Sequence, residues 1–340
     1  MKKALLIVVL LLAYSIEAQK KDFKHINFKK ADSIAALYEG HSLKNVPILT
    51  YKLTQNLDTQ VEQFRAIYTW VCNNIESDHN FGATTLRKRR KLKNDSLSFS
   101  AWNKQVLPKV FKRLLNDKKT ICSGYAYLLK EMAILVDIKC EIIDGYNRAT
   151  TRNVGKVDFP NHSWNAVKLN DKWYLVDATM ASGYFDIDNN RFVKDYNDGY
   201  FLTNPNLFIK RNYPLKLKWI LMENAPKLNQ FVEAPIVYGS TFKHAITPIL
   251  PENLITKAFI NDEISFKFKV IDKNIISKIR IVYSSGLRNG FIELKPSNYV
   301  NGCLSFKHRF MKKGRYDLHV MVNTDIVASY TLTMNHNKKA

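Results

Sequence analysis

The sequence changes character near residue 225, and this change limits the folds that the chain can adopt. Before it, hydrophobic residues at three- and four-residue spacings alternate with strand-like segments. Between Ala225 and Pro251 four prolines interrupt any long helix, and short alternating segments with turn residues between them follow. The predicted strands are Ile264–Val270, Ile279–Tyr283, Leu304–Phe310, Tyr316–Val322 and Ile326–Thr333. A length of 340 residues suits two domains, so we expect an α+β domain over 19–235 and a small antiparallel, immunoglobulin-like β-sandwich over 236–340.

The first eighteen residues have the pattern of a secretory signal peptide. Two lysines precede an apolar run from Ala4 to Tyr14, and Ala18 lies just before an expected cleavage point at Gln19. The run is too short to span a bilayer, and no later stretch approaches about 18 uninterrupted apolar residues. We therefore expect an exported chain without a transmembrane segment, located in the periplasm, at the cell surface or outside the cell.

The chain is strongly basic. Its 52 Lys+Arg against 30 Asp+Glu give a formal charge of +22, and loss of residues 1–18 removes two lysines and one glutamate, which leaves 22 − 2 + 1 = +21. Because the chain is expected to be exported, an anionic cell-envelope polymer is a better partner than nucleic acid. The run Arg87–Lys93 holds six basic residues in seven positions. It is interpreted first as a solvated loop, and alternatively as a docking site for such a polymer or for an acidic substrate.

Periodicity places three elements of the first domain. Apolar residues at helical spacing predict a helix over about 60–76, with Cys72 on its apolar face. A second helical stripe follows Cys122, which puts this cysteine at or just inside a helix N-terminus. Cys140 alternates with isoleucines in a strand that runs to about Tyr146.

Asn170-Asp171 predicts a tight hairpin, because both residues tolerate left-handed backbone angles. The expected strands are His162–Leu169 and Lys172–Thr179. With a two-residue loop the numbers of opposed residues sum to 341, so that Trp164 faces Asp177 and His162 faces Thr179. His162 and Asp177 then become diagonal neighbours on one face, about 7–8 Å apart at the backbone and within reach of a hydrogen bond. A loop one residue longer would put them on opposite faces.

Cys122, His162 and Asp177 together form a candidate nucleophile, base and orienting acid. A helix N-terminus favours the thiolate, a histidine can take the thiol proton, and an aspartate can fix the histidine tautomer. Each residue alone would more often have a structural role, and it is the combination that favours a catalytic site. The candidate substrate-cleft residues are Tyr125, Trp164 and Trp173, for which core or cleft-wall packing is the commoner role.

Three ordered blocks resemble the transglutaminase-like superfamily, and within it the kyphoscoliosis-peptidase-like branch. The blocks C-x-G-Y-A, N-H-x-W-N and W-x-x-x-D-x-T of that branch match Cys122–Ala126, Asn161–Asn165 and Trp173–Thr179. Arg65–Ile75 resembles the family's upstream helix, and Tyr200–Pro205 resembles the segment after its catalytic hairpin. The resemblance covers about residues 30–235. It implies a papain-like α+β fold in which Cys122, His162 and Asp177 are the catalytic triad.

Three positions depart from the family pattern. Ser77 stands where a tyrosine is usual, Met180 where a tryptophan often follows D-x-T, and Asp171 where glycine is common in the hairpin turn. None of these changes removes a catalytic group, although the first two alter the expected cleft wall.

The resemblance implies a cysteine-dependent enzyme that acts on peptide or glutamine amide bonds of a polypeptide through a thioacyl intermediate. The superfamily includes cross-linking enzymes, peptidases, deamidases and deglycosylases, so the fold does not fix the reaction. The alternative is a non-catalytic, envelope-associated adaptor that uses the same cleft for binding.

The remaining cysteines and histidines indicate no metal site or cofactor. Cys72 and Cys140 lie on apolar faces and are expected in the core, and a disulfide between them is the alternative in an exported chain. Cys303 has no evident partner. The histidines form no H-E-x-x-H motif and no close cluster with cysteine.

Overall fold

A computed structural model of the chain describes residues 19–150, 152–286, 288–294 and 299–336. The expected signal peptide, residues 1–18, lies outside the described residues. Across those described ranges, no helix is long and apolar enough to cross a membrane.

The described helical segments are α-helices and short 3₁₀ helices. The α-helices are α1 (Lys29–Leu37), α2 (Val46–Thr54), α3 (Gln60–Asn74), α4 (His79–Leu92), α5 (Ser96–Asp117), α6 (Cys122–Ile134), α7 (Ala178–Ala181), α8 (Pro205–Phe208), α9 (Leu228–Glu233) and α10 (Gly239–Lys243). The 3₁₀ helices cover Gln19–Phe23, Leu43–Asn45, Asp198–Tyr200, Leu217–Ile220 and Lys273–Lys278.

The described strands fall into an N-terminal and a C-terminal set. The first set is β1 (Glu76–Ser77), β2 (Lys119–Thr120), β3 (Cys140–Asn147), β4 (His162–Leu169), β5 (Lys172–Val176), β6 (Gly183–Asp186), β7 (Arg191–Lys194) and β8 (Asn212–Pro214). The second is β9 (Ile236–Val237), β10 (Ile246–Leu250), β11 (Ile255–Phe259), β12 (Glu263–Val270), β13 (Ile279–Ser285), β14 (Arg288–Glu293), β15 (Tyr299–Val300), β16 (Cys303–Arg309), β17 (Gly314–Val322) and β18 (Asp325–Asn335).

Helix α3 is the central buried helix of the first core, and its presence confirms the predicted helix over 60–76. It begins after Thr59, whose side chain accepts a hydrogen bond from the Glu62 amide. Arg65 on this helix is 5% exposed. Its guanidinium donates to Asp32 at 2.7 Å and also to Asp198. These bonds join α1, α3 and the 3₁₀ turn at 198–200, and they neutralise a charge that would be costly to bury alone.

A four-stranded antiparallel sheet with the order β5-β4-β3-β8 carries the predicted hairpin. Asn170 and Asp171 have φ angles of 46° and 62°, and Leu169 pairs with Lys172, so the two-residue turn and its register are confirmed. The pairing ends at Asn165 opposite Val176. The predicted continuation of the second strand to Thr179 is therefore wrong, because the chain turns into α7 after Asp177.

The C-terminal strands form two sheets that share one core. One has the order β10-β12-β16-β15, and the other has the order β11-β18-β17-β13-β14 with β9 paired to β18. The rings of Phe266 and Tyr330, one from each sheet, lie 6.4 Å apart. All five predicted segments are strands. The expectation of purely antiparallel sheets is wrong at one place, because β11 runs parallel to β18.

The segment 236–245 joins the two regions. Strand β9 pairs with β18, and Thr241 on α10 donates a hydrogen bond to the carbonyl of Val327. On its other side α10 stacks Phe242 on Tyr200, with ring centroids 4.2 Å apart. The C-terminal sheet is thereby connected to the segment that follows the hairpin.

Candidate active site

Cys122 is the first residue of α6, as the apolar stripe predicted. The residue before it, Ile121, has no side-chain acceptor, so no side chain caps the first turn of this helix. Gly124 permits the tight start of the helix, because a Cβ atom there would lie 1.9 Å from Oγ1 of Thr120. Helix α6 packs against β3 and β4, which brings its N-terminus to the end of the strand that carries His162.

His162 and Asp177 form a direct hydrogen bond, with Nε2 of the imidazole 2.8 Å from Oδ2 of the carboxylate. Both side chains are buried, at 4% and 0% exposed. Asp177 also caps α7, because its Oδ1 accepts a hydrogen bond from the Met180 amide at 3.1 Å. The two residues therefore meet through a helix cap at the end of β5 and not through the extended strand pairing that the sequence suggested.

The Cys122 thiol interacts with the His162 imidazole, and each group shifts the pKa of the other. Since Nε2 is engaged by Asp177, the remaining ring nitrogen, Nδ1, is the one available to the sulfur. Burial alone would lower the pKa of His162, but the Asp177 carboxylate and the Cys122 sulfur raise this pKa to about 10. Burial alone would raise the pKa of Cys122, but His162, Arg89 and the Ser163 amide together lower it. Opposite shifts of this kind favour a thiolate–imidazolium pair.

Asn212 extends this arrangement, although no local sequence pattern points to it. Its Nδ2 donates to Oδ2 of Asp177 at 3.3 Å, and its Oδ1 accepts a hydrogen bond of 2.7 Å from Nδ2 of Asn147. Asn212 lies on β8, which pairs with β3. Only the tertiary pairing of these two strands brings it to the carboxylate.

Helix α4 lies against the start of α6. Gly82 faces Ile121, since a Cβ at Gly82 would be 3.6 Å from Cγ2 of Ile121. Thr85, almost one turn further on, is buried, and Arg89 follows on the same face and lowers the pKa of Cys122. The run Arg87–Lys93 is mostly exposed, as the interpretation of a solvated segment expected, but it is not a loop, because most of it belongs to α4. The spacing of Gly82, Thr85 and Arg89 was the available helical signal.

The expected cleft-lining positions of Tyr125 and Trp164 are not observed, because each side chain is 1% exposed. The Tyr125 hydroxyl donates to the Ile75 carbonyl at 2.7 Å, which makes it a link between α6 and the end of α3. Trp164 packs between His162 and Phe208. Trp173 is partly buried and packs on Trp219, with ring centroids 5.0 Å apart.

All four cysteines are free thiols. Cys72 and Cys140 are buried in the first core, as expected, and the alternative of a disulfide between them is not observed. Burial raises the pKa of both thiols, that of Cys140 to about 12. Among the residues that the structure describes, no group of three His, Cys, Asp or Glu side chains could hold a metal ion.

The arrangement of a partly exposed Cys122 at a helix N-terminus with the buried His162 and Asp177 agrees with comparisons to known proteins. Residues 48–178 match the model of the transglutaminase-like superfamily. This matched range includes Cys122, His162 and Asp177. The chain belongs to this superfamily. Its similarity to proteins named kyphoscoliosis peptidase places it in that branch.

The relatives are considerably longer than this chain. Kyphoscoliosis peptidase of Mus musculus is 32% identical over 324 residues, which are 91% of this chain and 43% of the relative. The Homo sapiens protein of the same name is 32% identical over 207 residues, 60% of this chain and 28% of the relative. Hillarin of Drosophila melanogaster is 25% identical over 236 residues, 65% of this chain and 26% of the relative. The chain thus spans less than half the length of each.

Proposed function

We propose that this protein is an exported cysteine-dependent enzyme that acts on peptide or glutamine amide bonds, with Cys122, His162 and Asp177 as its triad. The observation that carries the proposal is the 2.8 Å bond from His162 Nε2 to Asp177, because it leaves Nδ1 for the Cys122 thiol. The position of that thiol at an uncapped helix N-terminus supports its ionisation.

The reaction begins with attack of the Cys122 thiolate on the carbonyl carbon of the amide. A C–S bond forms, and the tetrahedral intermediate collapses when the C–N bond breaks and the leaving nitrogen takes the proton from the His162 imidazolium. His162 then removes a proton from water or from a primary amine, which attacks the thioester and releases the thiolate. Asp177 stabilises the imidazolium in both halves.

The backbone amide of Cys122 is the proposed donor to the oxyanion of the tetrahedral intermediate. No side chain caps α6, since Ile121 offers no acceptor, and because the Gly124 amide already donates to the Ile121 carbonyl, the donor is assigned to the first residue of the helix. The helix N-terminus favours the developing negative charge for the same reason that it favours the thiolate.

The test is product analysis with a glutamine-containing protein substrate, a tagged primary amine and isotopically labelled water. Chain cleavage, label in a new glutamate and attachment of the amine report peptidase, deamidase and acyltransferase activity, respectively. We expect Cys122→Ala to abolish the product and Cys303→Ala, which changes a partly exposed thiol in the other region, to retain it. Product that is unchanged in Cys122→Ala would contradict the proposal and favour the non-catalytic adaptor.

Export and domain organisation are parts of the same proposal. Residues 1–18 support export, and a mature protein that does not begin near Gln19 would contradict it. The excess of basic residues supports retention at an anionic envelope polymer. The separate core of the C-terminal sheets supports an immunoglobulin-like sandwich over 236–340 beside a transglutaminase-like domain over 19–235.

A further inference from the structure

A groove of about 510 Å³ lies between the C-terminal half of α4 and the segment 152–161. Eight of its twelve lining residues are polar or charged, and its four cationic side chains are exposed. The lining residues that matter for its chemistry are Leu86, Arg90, Lys93, Arg152, Lys156 and Asp158.

The charge of this groove is strongly positive. Arg90, Lys93, Arg152 and Lys156 contribute four cations, and Asp158 is its single carboxylate, so its net charge is 4 − 1 = +3. Asp158 forms ion pairs with Arg90 and Lys93. Within the part of the chain that the structure describes, Arg152 and Lys156 have no carboxylate partner, so two cations remain for a ligand.

Asp158 demonstrates how the groove holds a carboxylate. Its Oδ2 lies 2.9 Å from Nε of Arg90, and its Oδ1 lies 2.7 Å from Nζ of Lys93, so each oxygen takes one cation. The ring of Phe159 lies under the Arg90 guanidinium, at 5.6 Å from its centroid. Carboxylates from a bound polypeptide would meet the same kinds of donor at Arg152 and Lys156.

The groove lies close to the candidate active site, because residues of two of its walls are next to site residues in the chain. Arg90 directly follows Arg89, whose charge acts on the Cys122 thiol. At the other wall, Asn161 directly precedes His162 and is fixed by two hydrogen bonds to the backbone of Asn147, of 2.7 and 3.0 Å. A polypeptide bound in the groove would therefore lie near the cysteine and the histidine.

We propose that this groove binds acidic side chains of a polypeptide substrate and thereby directs the enzyme to amide bonds beside aspartate or glutamate. The placement of the reacting amide rests on the proposed function. The binding of acidic peptides to the groove does not rest on it. Because the charges are exposed, each ion pair adds only about a threefold preference, and the preference falls with salt.

The test uses two peptide chloroacetamides that differ only in having glutamates or glutamines beside the electrophile. With the full chain we expect Cys122 to be alkylated about three- to tenfold faster by the acidic peptide at low salt. Arg152→Glu/Lys156→Glu should abolish or reverse this preference. Lys257→Glu/Lys278→Glu, which makes the same charge change at exposed sites on the C-terminal region, should leave it intact. Equal labelling by both peptides, or equal behaviour of the two double variants, would overturn the proposal.

A parallel binding measurement separates this inference from the proposed function. Fluorescence anisotropy with the same peptides lacking the electrophile reports the groove without any chemistry at Cys122. Tighter binding of the acidic peptide that is lost in Arg152→Glu/Lys156→Glu would support acidic-peptide binding by the groove, whatever the reactivity of Cys122. If Cys122 is unreactive towards iodoacetamide, only the proposed function is overturned. Binding of dextran sulfate together with indifference to peptide charge would assign the groove to polymer docking and overturn the inference.

Discussion

At the scale of single residues, the candidate site is a series of hydrogen-bonded side chains that extends beyond the three reacting groups. The carboxylate of Asp177 accepts from His162 and Asn212 at Oδ2 and from the Met180 amide at Oδ1. With three donors around it, the carboxylate is held in one orientation and its charge is compensated inside the core.

Asn212→Ala should weaken this arrangement without touching the reacting atoms. Loss of the donor to a buried charged oxygen is expected to lower the free energy of unfolding by about 1–3 kcal/mol. It should also slow alkylation of Cys122 near pH 6, because a less firmly held carboxylate supports the imidazolium less well. Asn189→Ala is the matched control, since the Asn189 amide bonds only to Asp186 in an exposed turn. Equal alkylation rates for the two variants would show that Asn212 does not position Asp177.

At the scale of elements, the start of α6 depends on the close approach of two residues. Thr120 is fully buried, so it cannot move away from a methyl group placed at Gly124, 1.9 Å from its Oγ1. This contact explains the glycine two residues after Cys122 in terms of space, independently of any family pattern.

Gly124→Ala and Gly82→Ala form a matched pair that should change the free energy of unfolding in opposite directions. Overpacking at Gly124 should lower the free energy of unfolding by about 1–3 kcal/mol and disturb Cys122 reactivity. Gly82 lies inside α4 and has only ordinary contact with Ile121, so alanine there should stabilise the protein by about 0.5–1 kcal/mol. Chemical denaturation measures both changes. Two variants of equal stability would contradict this account of the turn.

Some of these elements could be predicted from the sequence, and others could not. The turn at Asn170-Asp171 determined the hairpin register, because residues that tolerate positive φ allow few loop lengths. The strand prediction failed at Asp177, where a helix cap replaces strand pairing. The helices α4 and α5 were missed because basic residues masked the helical spacing. Asn212 could not be found, because no local pattern reveals that β8 pairs with β3.

At the scale of the whole molecule, the segment 236–245 belongs to both regions. Ser240 and Thr241 bond to β18, whereas Phe242 is 1% exposed and stacks on Tyr200 in the first core. The carbonyl of Tyr200 in turn accepts the Asp177 amide at 3.2 Å. The sequence-based boundary at 235/236 therefore falls immediately before a shared segment, because proline spacing marks the end of helices and not the end of a core.

Phe242→Ala should destabilise the protein by about 3–5 kcal/mol, because it removes a buried ring between the two regions. Thermal or chemical unfolding of the full chain measures the effect. Phe291→Ala is the control, since that ring is 63% exposed, and it should change stability by no more than about 0.5 kcal/mol. If Phe242→Ala lowers the free energy of unfolding as little as the control does, the stability of the two regions does not depend on this contact.

The most direct test of the central claim is the pH dependence of Cys122 alkylation by a small neutral reagent, followed by peptide mass spectrometry from pH 5 to 9. The pKa of Cys122 is lowered and that of His162 is raised to about 10, so the thiolate–imidazolium pair should form at a lower pH than an ordinary thiolate and persist up to about pH 10. We therefore expect rapid labelling below pH 8 that rises less steeply with pH than that of an ordinary thiol, with the buried Cys72 and Cys140 unlabelled.

In His162→Ala the thiolate loses its partner, and labelling should become slow below pH 7 and rise about tenfold per pH unit towards the ordinary thiol pKa of about 8.5. A wild-type profile that coincides with that of His162→Ala, or a Cys122 that is not labelled in the native protein, would contradict the account.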